Sequence, residues 1–96
     1  DAERQAAQAV RQALRDQRTS AAAVDLAVER AALAHEALEL TETAFAQGAG
    51  SSFEVSDART GLAGAEINRL TTQLQAELDA LILLRALGSD MLTAVQ

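Results

Sequence analysis

Near its midpoint the chain reads Gln47-Gly48-Ala49-Gly50-Ser51, and nowhere else are its two long helical patterns so clearly interrupted. Gly48 and Gly50 tolerate the left-handed backbone conformations that end a helix and reverse a chain. Ser51 followed three residues later by Glu54 has the form of a capping box, which starts a new helix. Proline is absent and alanine is the commonest residue, so nothing on either side stops a helix from propagating. Such a chain is all-α and folds back on itself as a long antiparallel two-helix hairpin of coiled-coil type. The spacing predicts one helix over about residues 3–47, a tip at 48–51 and a second helix over about 52–87. Gly88 is read as its C-terminal stop. The tail, 88–96, is either a short extra turn or disordered.

The first helix carries two apolar stripes. Val24, Val28, Ala31, Leu38 and Phe45 follow one, and Leu26, Leu33, Ala37, Leu40 and Ala44 follow the other. A simple hairpin needs one stripe per helix, whereas a stave in a bundle or barrel meets neighbours on two sides. At 1.5 Å per residue the helix is about 65 Å long, well beyond ordinary globular length. Its first turns, through Arg18, are the most polar and are expected to fray. On the second helix Val55, Ala58, Leu62 and Ala65 are followed by Ile67, Leu70, Leu74, Leu78 and Leu81, spaced by threes and fours. Reversal at Ala49 pairs Phe45 with Phe53, Val28 with Leu70 and Val24 with Leu74. Gly61 and Gly64 lie inside this helix, where each costs about 1 kcal/mol relative to alanine. They mark either a close approach by another helix or a tolerated exposed face.

Ninety-six residues form at most one small domain, and with two phenylalanines and no tryptophan or tyrosine there is little with which to fill a thick core. Self-association through the second stripes is therefore expected. The net charge of −6 argues against a nucleic-acid partner. That charge is localised: residues 31–58 hold five acids and no arginine, whereas the flanking thirds are close to balanced. With no cysteine there is neither a disulfide nor a thiolate metal site. The best apolar run, Ala80 to Leu84, ends at Arg85 and is far short of a membrane span. Without an initiating methionine or a signal peptide, the stretch reads as an excised piece or a processed product.

No catalytic constellation is present. The single histidine, His35, has no serine or cysteine at helical spacing to activate, and paired carboxylates on long solvated helices lack a pocket, so the chain is not read as an enzyme. His35, Glu36 and Glu39 have metal-ligating side chains, but a metal site needs more ligands than these, and the cluster is read as a polar helix face. Gly48-Ala49-Gly50 lacks the following lysine and preceding strand of a phosphate loop. No cofactor is implied. Glu54 and Asp57, three apart in the first turn of the second helix, are acids where the helix dipole favours them.

The wording of the tip goes further. Phe45-x-x-Gly48, a short polar turn, then Glu54-Val55-x-Asp57-Ala58 resembles the TolC-type outer-membrane efflux protein family at the periplasmic end of its helical tunnel. So does Leu33-Ala34-His35-Glu36-Ala37-Leu38-Glu39-Leu40 leading into the tip. The ending Leu83-Leu84-Arg85-Ala86-Leu87-Gly88 is similar to the Leu-x-x-Ala-Leu-Gly that closes the family's second repeat. The likeness extends from about Gln8 to Gly88. Gly50 departs from the family, which has larger residues there, and Ser56 replaces a common leucine.

The resemblance implies a fragment of a periplasmic α-helical barrel, the second-half hairpin of a homotrimeric channel in the outer membrane of a Gram-negative bacterium. Gly48, Ala49, Gly50 and Ser51 would then match the turn that docks a periplasmic adaptor (membrane fusion) protein, itself coupled to an inner-membrane pump. Glu54 and Asp57 would match acids lining the tunnel entrance, in tripartite efflux or type I secretion. The alternative from the residues alone is a structural antiparallel coiled-coil hairpin, serving as a stalk, a dimerisation element or an adaptor-protein hairpin, with no channel role.

Overall fold

The computed structural model describes residues 1–95 and contains two α-helices, α1 (Ala2–Ala46) and α2 (Ser52–Val95), with no strand among them. Asp1 caps α1: its Oδ1 accepts the Arg4 amide proton at 2.8 Å, satisfying one of the free donors of the first turn. The chain divides into two units, each with a segment of both helices. One holds Asp1–Val24 with residues 72–95, the other Asp25–Thr71. In both, α1 and α2 run antiparallel. Ser20 meets Asp79 in the first, and Glu42 meets Arg59 in the second.

The helices meet along a strict seam. In the first unit the least exposed positions of α1 include Ala6, Val10, Ala13, Gln17, Ser20 and Val24, and in the second Ala27, Ala31, Ala34, Leu38 and Thr41. On α2 they include Val55, Ala58, Leu62, Ala65 and Arg69 in the second unit and Thr72, Ala76, Asp79, Leu83 and Ala86 in the first. Steps alternate between three and four, the period of a coiled coil. Every second seam position is small: Ala6, Ala13, Ser20, Ala27, Ala34 and Thr41 on α1, and Ala58, Ala65, Thr72 and Ala86 on α2, interrupted there by Asp79. Small side chains let two helix backbones approach closely, so the hairpin is held by many short contacts rather than by a few large buried groups. The buried hydrophobic residues are accordingly Ala13, Ala27, Ala31 and Val55.

The large apolar side chains lie elsewhere. Leu26, Leu33 and Leu40 on α1 are exposed, as are Ile67, Leu70, Leu74, Leu78 and Leu81 on α2. Two stripes per helix are thus present, but on α2 the more hydrophobic one is not the one the hairpin covers. Val55, Ala58, Leu62 and Ala65 belong to the seam, which continues through Arg69, Thr72, Ala76 and Asp79 and not through Ile67, Leu70 and Leu74.

The expected pairing shifts as a result. The Ser20–Asp79 contact centres the turn between Ala49 and Gly50 and the Glu42–Arg59 contact centres it between Gly50 and Ser51, both later than Ala49, and Leu70 and Leu74 point to solvent, so neither forms the expected seam pair with Val28 or Val24. Phe45 lines a hollow with Val55, while Phe53, 76% exposed, lines a different one.

The expected stop at Gly88 does not occur either, and α2 continues to Val95. Gly88 has no left-handed backbone, and no proline comes after it. Helix formers such as Met91, Leu92 and Ala94 carry the helix on, and Thr93 donates to the Ser89 carbonyl at 3.0 Å. One internal glycine costs less than the hydrogen bonds that ending the helix would forgo. The final position of the expected tail, residue 96, lies outside the described residues. Gly61 and Gly64 have nothing within 4 Å of where a Cβ would sit, so among the described residues no helix packs closely on them.

Candidate functional site

The tip is built by two local devices in succession. At the end of α1 the Gly48 amide donates to the Phe45 carbonyl at 3.0 Å and the Ala49 amide to the Ala44 carbonyl at 2.8 Å, the paired bonds of a Schellman stop. That geometry needs a left-handed residue, and Gly48 supplies it with φ 84°. Gly50 repeats the device at φ 83°, which turns the chain toward α2. Ser51 then caps α2: its Oγ accepts the Glu54 amide proton at 3.3 Å, and its carbonyl accepts from Val55 at 3.3 Å.

Glu54 leans back over the turn. A Cβ on Gly50 would lie 2.9 Å from Glu54 Oε2, the end of a flexible, exposed side chain that can swing aside, so it is the positive φ that calls for glycine there.

Two hollows flank the tip within the unit Asp25–Thr71. Phe53, Glu54, Asp57 and Gly61 from α2 and Ala34, Ala37 and Thr41 from α1 line the first, of about 490 Å³. It joins a carboxylate wall to small and apolar surface. Neither Glu54 nor Asp57 has an ion-pair partner among the described residues. The second hollow holds Phe45, Val55 and Ser56, with Glu42 and Arg59 across it. Arg59 Nη2 lies 3.3 Å from Glu42 Oε2, so the one arginine near the tip is engaged with an acid of the opposite helix. Both members are largely exposed, which limits the pair to about 0.2–1 kcal/mol, and its main effect is on register. The tip therefore has one face where charge is compensated and one where carboxylates stand alone.

The structure brings Glu54 and Asp57 to one surface and seats Gly48, Ala49, Gly50 and Ser51 together at the turn. His35 is elsewhere: its Nε2 lies 3.2 Å from Glu39 Oε1 one turn along the same exposed face. No group of three or more metal-ligating side chains is found among the described residues.

Sequence reasoning missed a second polar feature, in the seam. Ser20 Oγ donates to Asp79 Oδ2, and Gln75 Nε2 donates to Asp79 Oδ1 at 3.1 Å. The signal was available, since Asp79 is the one acid in a row of small residues recurring every seventh position. A polar layer in an otherwise apolar seam favours one register over its neighbours.

No family model matches the sequence, and no curated protein or solved structure is detectably similar to it.

Proposed function

We propose that this hairpin is a segment of the periplasmic tunnel of a TolC-type outer-membrane channel, in a tripartite efflux or type I secretion system. Its tip docks the adaptor protein and gates substrate entry. The observation that carries this reading is the division of apolar side chains. The seam between α1 and α2 is closed by alanines, while rows of leucine on both helices remain in water. A hairpin that only partners itself has no use for second rows, whereas a stave with a helix on either side buries them.

The role is that of a conduit and docking element, not a catalyst. No helix among the described residues is long and apolar enough to cross a membrane, so the outer-membrane anchor of such a channel would be supplied by other parts of it. In a homotrimer the unpaired Glu54 and Asp57 would repeat around one axis, concentrating cations at a narrow mouth. Their local alternative is stabilisation of the start of α2 through the helix dipole, with Glu54 in its first turn and Asp57 one turn on.

The test uses the parent channel in planar lipid bilayers, with Glu54→Gln and Asp57→Asn combined. Cation selectivity and block by multivalent cations should both weaken while assembly is unchanged. Unaltered selectivity and block would reduce the two acids to capping residues.

The unbroken three-four seam supports a second reading, a structural antiparallel coiled-coil hairpin acting as a stalk, dimerisation element or adaptor hairpin. Flanking sequence separates the two, because only the channel requires barrel strands of alternating polarity.

A further inference from the structure

The outer face of α2 within the unit that includes residues 72–95 is apolar and uncovered. Leu74, Leu78, Leu81 and Leu84 project from it, all more than half exposed. Two charged residues flank its centre: Glu77 lies one turn before Leu81 and Arg85 one turn after. Neither has an ion-pair partner among the described residues, and neither has an opposite charge three or four places away on its own helix. Gly88 lies on the same face, seven residues beyond Leu81, with nothing within 4 Å of where its Cβ would be. Nothing among the described residues accounts for a glycine there.

These features are arranged symmetrically about Leu81. Leu74 and Gly88 stand seven residues to either side of it, Glu77 and Arg85 four, and Leu78 and Leu84 three. We infer that α2 pairs antiparallel with α2 of a second copy of this chain, about a two-fold axis at Leu81. The axis sets Leu81 against itself and Leu78 against Leu84 of the second copy. Glu77 comes to the height of Arg85 of the second copy, within reach of that long side chain. Leu74 meets the gap left by Gly88, so the helices can close up where a larger residue would hold them apart. Each ion pair and each leucine–glycine fit occurs twice, as a two-fold contact requires.

The surface area is sufficient for such a contact. The chain exposes 6940 Å². A folded monomer of 10.1 kDa ordinarily exposes roughly 5,300 Å², so about 1,600 Å² is in excess, and a standard interface takes about 800 Å² from each partner. The pairing is a property of these 96 residues. Its failure would leave the tunnel reading intact, since a tunnel sets its hairpins with all tips at one end.

The test is a charge-swap series measured by sedimentation equilibrium, with circular dichroism confirming that each variant keeps its helix. Glu77→Arg sets arginine against arginine twice per dimer, and Arg85→Glu sets acid against acid. Each should weaken dimerisation about tenfold or more, and the double variant E77R/R85E should recover most of the wild-type affinity. Because the chain has no cysteine, Leu81→Cys offers a second readout: mild oxidation should give a covalent dimer, while Leu33→Cys on α1 should not. Dimerisation of both single charge variants at wild-type strength, no recovery in the double variant, or preferential cross-linking through Leu33→Cys would each overturn the proposal.

Discussion

Replacing Ala27 by leucine tests whether the hairpin depends on close approach of its helices. Ala27 is 2% exposed and belongs to the row of small residues that recurs every seventh position of α1. Leucine and alanine are both good helix formers, so the change leaves the isolated helix nearly as favourable as before. The added isopropyl group has no space, and α2 must move away or the side chain must leave its rotamer. Overpacking of this kind costs about 1–3 kcal/mol. For a domain of this size each kcal/mol lowers Tm by roughly 4–8 °C, so a fall of about 8–16 °C is expected for a mid-range cost of about 2 kcal/mol. Leu33→Ala provides the control. Leu33 is much larger but 59% exposed, and its loss should change stability by less than about 0.5 kcal/mol. Thermal unfolding monitored by far-UV circular dichroism measures both, at one fixed protein concentration because association would shift Tm. In ordinary coiled coils leucine at a seam position is stabilising. A Tm for Ala27→Leu equal to or above wild type would show that the helices part freely, and the close-approach argument would fail.

Two further outcomes are expected from the seam and the turn. Ser20→Ala leaves the part-buried Asp79 carboxylate without its cross-helix donor and should cost about 1 kcal/mol in urea unfolding, whereas Ser20→Ala with Asp79→Ala should recover much of that; equal losses in the two variants would remove the polar layer from the account of register. Gly50→Ala and Gly48→Ala should each destabilise by about 1–2 kcal/mol, because both glycines have nearly the same positive φ, which a Cβ disfavours. Adding Glu54→Ala to the Gly50→Ala chain should recover little stability, because the Glu54 carboxylate can swing aside, and a large recovery would show that crowding and not φ is the source of the loss.

The helices, the reversal and the existence of two apolar stripes were legible in the amino-acid order, because each depends on interactions within a few residues. Alanine-rich stretches without proline propagate, Gly48 and Gly50 allow the left-handed turn, and Ser51 caps the second helix. Glu54 and Asp57 were likewise legible as neighbours, since three residues along a helix share a face. Other features depended on groups distant in the chain. Hydrophobicity alone favours Ile67, Leu70 and Leu74 as the continuation of the α2 seam, yet the partner helix covers Arg69, Thr72 and Ala76 more fully. The placing of Phe45 and Val55 on one hollow and Phe53 on another, and the engagement of Arg59 by Glu42, depend on a register set across the turn. That small side chains face inward and large ones outward emerged with the packing of α1 on α2, because contacts between closely spaced backbones are summed over many turns of a helix pair and no single residue carries that information.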